Sequence, residues 1–123
     1  MYSKKVIKHF QNPKFAGEMK SPDAVGEFGN VRCGDSMKIF LKVRKGIIVD
    51  VKFLTYGCVA AIACSDMLCE LVKGKKVEDA LKVTHKDIIK SLGEMPPVKH
   101  HCSVLGIQAL RKAIEEYQKR GNK

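Results

Sequence analysis

The hydrophobic period changes along the chain, and each change marks an element. Tyr2, Val6, Ile7 and Phe10 are spaced as one face of a helix on a basic segment. Asn12-Pro13 stops that helix. The stretch from Phe15 to Asn30 holds Gly17, Pro22, Gly26 and Gly29, and reads as loop with a short strand near Val25 to Phe28. Met37, Ile39, Leu41 and Val43 then alternate with Lys38, Phe40, Lys42 and Arg44, a period of two that predicts a strand. After a turn at Lys45-Gly46, Ile47, Val49, Val51 and Phe53 alternate with Ile48, Asp50, Lys52 and Leu54. The two runs form an antiparallel hairpin. A hairpin alone is marginal in water, so the segment before Cys33 is expected to supply a third strand.

The second half is helical in pattern. Val59 to Val72 is apolar almost all round, too long for a typical strand, and reads as a buried helix ended by Lys73-Gly74-Lys75-Lys76. Val77 to Leu81 is a short helix, and Thr84 caps another running to Leu92 and closed by Gly93. Pro96-Pro97 imposes extended backbone. From Ser103 onward, Val104, Ile107, Leu110, Ile114 and Tyr117 form a stripe, with Arg111, Lys112, Glu115 and Lys119 mainly outward. That is an amphipathic terminal helix. The fold class is therefore α+β: a small, mainly antiparallel three-stranded sheet covered by helices, with a long C-terminal amphipathic helix. No repeat or linker divides the chain, so residues 1–123 read as a single domain.

Composition narrows the function classes. With 123 residues and 45% hydrophobic content, the chain can bury a core without covalent staples. It has no apolar run long enough to span a membrane, and no apolar signal segment follows its basic start. Five cysteines are an odd number and fit free thiols in a reducing compartment, so a cytoplasmic location is expected. Twenty-three Lys and Arg against thirteen Asp and Glu give a net charge of +10, which attracts nucleic acid or an acidic protein. No basic run interleaved with aromatics offers a stacking platform, so nucleic acid is not expected as the main partner.

The cysteines carry the chemistry. Cys33-Gly34-Asp35 lies just before one strand of the hairpin, and Gly57-Cys58 lies just after the other. These hairpin ends are neighbours, so Cys33 and Cys58 can meet. Cys58 also opens the buried helix, where free backbone N–H groups favour a thiolate. Cys102, after His100 and His101, stands near the start of the terminal helix and has the same advantage. Three thiolates completed by Asp35 or His101 can bind zinc, or an iron pair bridged by sulfide. Asp35, a hard ligand among soft ones, would be weak and exchangeable. It could also serve only as a turn residue bonded to backbone N–H groups. Cys64 sits about 120° round the helix from Cys58 and reads as core, and Cys69 lies about 16 Å along it, too far to share a ligand shell with Cys58; a transient sulfur relay through either is the lesser alternative.

At these residues the chain resembles the IscU/NifU-type iron–sulfur cluster assembly scaffolds, and the resemblance spans nearly its whole length. Tyr2-Ser3 through His9-Phe10-Gln11-Asn12-Pro13 resembles the family's amino-terminal segment. Cys33-Gly34-Asp35, Gly57-Cys58 with Ala61-Ile62-Ala63, and His101-Cys102-Ser103 resemble its three ligand motifs. The resemblance implies a non-enzymatic scaffold on which a transient [2Fe–2S] cluster is assembled from iron and sulfur, then transferred to apo-proteins. It implies a cysteine desulfurase as sulfur source, a ferredoxin-like electron donor and apo iron–sulfur acceptor proteins as partners. Cys102 would accept the persulfide, Asp35 would assist release, and His101 would tune or alternate as ligand. Zinc would occupy the unloaded site. Met95-Pro96-Pro97-Val98-Lys99 resembles a segment presented to an ATP-dependent chaperone, with Met95 in place of a leucine. Cys64 and His100 are further departures, standing where relatives carry a small hydroxyl and a long apolar residue. Homo-oligomerisation is left open.

Two other readings compete. A zinc-stabilised interaction domain without sulfur traffic predicts that chelation unfolds the protein. An enzyme using Cys102 with His101 as a thiol–base pair is disfavoured, because adjacent residues rarely aim at each other and a nucleophile would not need Cys33 and Cys58.

Overall fold

A computed structural model describes residues 4–30, 35–56, 59–93 and 101–121. The elements run α1 (Lys4–Gln11), β1 (Ala24–Asn30), β2 (Asp35–Arg44), β3 (Ile47–Tyr56), α2 (Val59–Val72), α3 (Val77–Ala80), α4 (His85–Leu92) and α5 (His101–Gly121). The three strands form one antiparallel sheet in the order β1-β2-β3. The expected third strand is present and longer than its short apolar signal suggested. Gly26 and Gly29 do not end it, because β2 pairs with it from Ala24 to Asn30.

The hairpin turn places Lys45 at φ 53° and Gly46 at φ 76°, the doubly left-handed turn that matches strand twist. The strict alternation expected along β3 does not hold at its start. The register slips between Lys42 and Val43, so that Val43 faces Ile48 while Lys42 faces Asp50, and Val49 is left over. This bulge reverses the side-chain parity. Ile48 turns inward with Val51 and Phe53, while Ile47 and Val49 are exposed.

One face of the sheet, with Met37, Ile39, Leu41, Val51 and Phe53, builds the core against α2 and α5. Helix α2 is buried on nearly all sides, as its composition predicts: Ala61, Ala63, Cys64, Leu68 and Val72 are each almost wholly covered. Helix α5 begins at His101, two residues earlier than the stripe suggested. Ile107, Leu110 and Ile114 are buried as expected, but Val104 is 40% exposed. Val104 lies six residues before Leu110, about 120° round the helix from it, and the packed arc is completed by Gly106, Ala109 and Ala113 instead.

The free edge of β3 is closed at both ends. Gly17 donates to Phe53 O at 2.9 Å and Phe53 N donates to Phe15 O at 2.9 Å. Ile48 N donates to Lys75 O at 2.9 Å and Gly74 N to Ile48 O at 2.7 Å. These contacts occupy backbone groups that would otherwise recruit another strand.

Candidate metal centre

The described elements next to the sequence-predicted ligands begin or end at one end of the sheet. Strand β2 starts at Asp35, opposite Asn30, the last residue of β1. Strand β3 ends at Tyr56, opposite Ser36. Two residues separate Tyr56 from Val59, where α2 begins. The antiparallel hairpin thus brings the start of β2 and the start of α2 together, although they are far apart in sequence.

Helix α5 is aligned with this end by close packing. A Cβ on Gly106 would stand 3.1 Å from Leu68 Cδ2 and 3.3 Å from Met37 Cε, so the second turn of α5 lies against the start of β2 and the middle of α2. One turn further, a Cβ on Gly26 would stand 2.2 Å from Ala109 O and 2.4 Å from Ala113 N. Gly26 pairs with Ile39 on β2. From Gly106 to Ala113 the helix therefore travels from Met37 towards Ile39, away from the Asp35 end. Extended backward, Cys102 precedes Gly106 by four residues, about 6 Å, while Asp35 precedes Met37 by two, about 7 Å. By this reckoning α5 and β2 both start towards the same end of the sheet.

Asp35 is the first residue of β2, and His101 and Cys102 are the first two of α5. Cys33, Gly34, Gly57 and Cys58 lie outside the described residues, as do Met95 to Lys99 and His100. Cys33 is tethered two residues from Asp35, and Cys58 immediately precedes α2. The described residues contain no cluster of three or more His, Cys, Asp or Glu side chains able to hold a metal ion. The chemistry of the expected donor set, three thiolates with one carboxylate or imidazole, suits iron–sulfur ligation and zinc alike.

The two remaining cysteines behave as core. Cys64 and Cys69 are fully buried on α2. Burial pushes the Cys69 thiol well above its usual range, and the charges of Asp66 and Asp50 push it further. A thiol held protonated is a poor nucleophile and a poor ligand.

Sequence reasoning missed one pair. Asp66 is fully buried in α2, with its Oδ2 2.5 Å from His9 Nδ1 and its Oδ1 accepting from Phe15 N at 3.0 Å. These contacts clip α1 and the loop after it onto α2. A carboxylate inside an apolar helix was the available signal, because a buried charge requires donors. Its partner His9, 57 residues away, could not be inferred from spacing. Ser65, also buried, donates to Ala61 O at 2.7 Å and lies 2.8 Å from Thr55 Oγ1 on β3.

Comparison with known proteins identifies the family and the fold. The family described as "NifU-like N terminal domain" matches residues 1–123. An iron–sulfur cluster assembly scaffold protein, IscU 1 of Archaeoglobus fulgidus, is 49% identical over 123 residues, covering 100% of this chain and 80% of the relative. An IscU scaffold protein of Aquifex aeolicus is 47% identical over 118 residues, covering 94% of this chain and 75% of the relative. The crystal structure of a nitrogen-fixing NifU-like protein (N-terminal) from Brucella abortus shares the fold, with TM-score 0.75 at 21% identity, covering 96% of this chain and 94% of that one. Matched along its whole length, and folded as a three-stranded antiparallel sheet packed by helices, the chain belongs to the family of NifU-like N-terminal domains.

Proposed function

We propose that this chain is a scaffold for iron–sulfur cluster assembly and transfer, building a transient [2Fe–2S] cluster at Cys33, Cys58 and Cys102, with Asp35 or His101 completing the ligand set. The observation that carries this reading is the common end of the sheet shared by the starts of β2, α2 and α5. Family membership supports it independently.

Sulfur arrives as the persulfide of a cysteine desulfurase. The Cys102 thiolate attacks its sulfane sulfur, a new S–S bond forms on Cys102, and the donor cysteine leaves as thiolate. Conversion of that sulfur to sulfide needs electrons, which a ferredoxin-like donor supplies. The start of α5 suits Cys102 to this role, because free N–H groups there stabilise the attacking thiolate. Asp35 is the hard, weakly held ligand, and its exchange opens the site for transfer to an apo-protein. The chain is restored after transfer and performs no catalysis of its own. Zinc holds the same donors when no cluster is loaded. The Met95–Lys99 segment presents an apolar and a basic residue to an ATP-dependent chaperone, and cluster sharing between two copies is compatible with the scheme. Free buried thiols fit a reducing compartment, so we place the protein in the cytoplasm.

Anaerobic reconstitution with ferrous iron and sulfide tests the proposal. Two irons and two acid-labile sulfides per cluster are expected, with charge-transfer absorption in the visible. Cys33→Ala, Cys58→Ala and Cys102→Ala should each abolish it while the far-ultraviolet circular dichroism is retained. Asp35→Ala should keep the cluster and slow its transfer. Tight zinc with no cluster under these conditions would favour the interaction-domain reading instead.

A further inference from the structure

Two adjoining depressions run beside α2, away from the cluster end. The larger, of about 390 Å³, lies between α1, α2 and α4, with Lys5, Lys8 and Lys14 on its wall and Met67 and Leu71 on α2 below. The second, of about 230 Å³, adds Val83, Lys75 and Lys90. Leu71 and Ser91 line both, so together they make one elongated groove. Leu71 lies twelve residues along α2 from Val59, about 18 Å from the cluster end.

The groove is positive. Lys5, Lys8 and Lys14 are exposed, and among the described residues none of them is ion-paired. The acidic groups that line it are largely engaged. Asp66 is buried against His9 and the Phe15 N–H, and Asp87 accepts from the Thr84 backbone in a helix cap, which leaves the exposed Glu70. Helix α1 contributes no acid in its first turn, and its outer face exposes Ile7 and Phe10, each at 37%.

We infer that this groove is a docking surface for an acidic, extended polypeptide segment, with apolar side chains seated on Met67, Leu71 and Val83 and carboxylates against the lysines. Three features select that occupant. The volume of the paired depressions, about 390 and 230 Å³, suits a chain rather than a small anion. The floor is formed by Met67, Leu71 and Val83, no Phe, Tyr or Trp lines either part, and the one ring there, His9, is held against Asp66, so bases would find no open stacking platform. The lysine rim complements carboxylates and steers their approach. The inference does not depend on which ligands complete the cluster.

The test uses the full chain and a labelled synthetic peptide in which Asp and Glu alternate with Leu. A second peptide carries Ser in place of Leu, and a single-stranded oligonucleotide serves as competitor. The leucine peptide should bind, and its affinity should fall about tenfold or more between roughly 50 and 300 mM NaCl. Amide shifts should move at Lys5 to Lys14, Met67 to Leu71 and Lys90-Ser91. The triple variant Lys5→Glu, Lys8→Glu, Lys14→Glu should weaken binding by about tenfold or more, yet keep its melting temperature and its cluster loading from inorganic iron and sulfide. Unchanged affinity in that variant, equal binding of the serine peptide, displacement by the oligonucleotide at lower concentration, or shifts confined to the Lys38, Lys42 and Lys52 face of the sheet would each overturn the inference.

Discussion

Asp66 is a charge within the most apolar helix of the molecule, and two donors hold it there. Removing one of them should be costly, because the carboxylate stays behind without compensation. His9→Ala is expected to destabilise the fold by about 3 kcal/mol. Urea unfolding should show a lower midpoint at an unchanged slope, and a loss below about 0.5 kcal/mol would mean that the pair is not a structural clip. Asp66→Asn should be milder, since the amide oxygen can still accept from the Phe15 N–H. At the same scale, burial and neighbouring negative charge hold the Cys69 thiol protonated. Cys69 should therefore resist iodoacetamide in the native protein and react only on unfolding, as followed by mass spectrometry. Cys69→Ala should leave cluster yield unchanged. Helical geometry alone turned Cys64 towards the core and took Cys69 out of reach of the Cys58 position. The clip was not, since it joins two residues that no local period relates.

Helix α5 packs so closely that glycine is required where it meets β1 and merely tolerated where it meets α2 and β2. An alanine Cβ at position 26 would fall 2.2 Å from a backbone oxygen, and backbone cannot step aside cheaply. Gly26→Ala should displace α5 and cost about 3 kcal/mol or more. At Gly106 the near atoms are the tips of Leu68 and Met37, at 3.1 and 3.3 Å, which can turn. There the gain in helix propensity, up to about 1 kcal/mol, offsets the crowding, and Gly106→Ala should be close to neutral. Thermal unfolding of the two variants side by side distinguishes these outcomes. Helix α4 shows the opposite case, a boundary written locally. Thr84 and Asp87 form a reciprocal cap, and the backbone hydrogen bond to Thr84 lowers the Asp87 pKa from its usual value of 3.8. A depressed carboxyl contributes stability above its unfolded pKa and loses it as pH falls through the lower folded value. Asp87→Asn should flatten that part of the acid limb. Thr84 announced the start of α4 in sequence, whereas the bulge opposite Lys42 and Val43 did not announce itself. A continuous alternation of isoleucine, valine and phenylalanine conceals a parity change, since Ile47 and Ile48 are equally able to face the core.

At the scale of the whole molecule, the described elements share one core, with the sheet on one side and α2 and α5 against it. The chain should therefore unfold in one cooperative transition, with far- and near-ultraviolet signals coincident in urea. Two separated transitions would mean that residues 1–123 are not one domain. Among the described residues no helix is long and apolar enough to cross a membrane. The amino-acid order alone determined the element types, the hairpin, the buried character of α2 and the cysteine motifs by which the family is recognised. Each of these rests on periods and neighbours within a few residues. The tertiary structure decided which ends meet, how near α5 lies to the sheet, which isoleucine of β3 turns inward, and that His9 answers Asp66. Those depend on contacts between residues many positions apart, where packing distance, rather than local preference, selects the outcome.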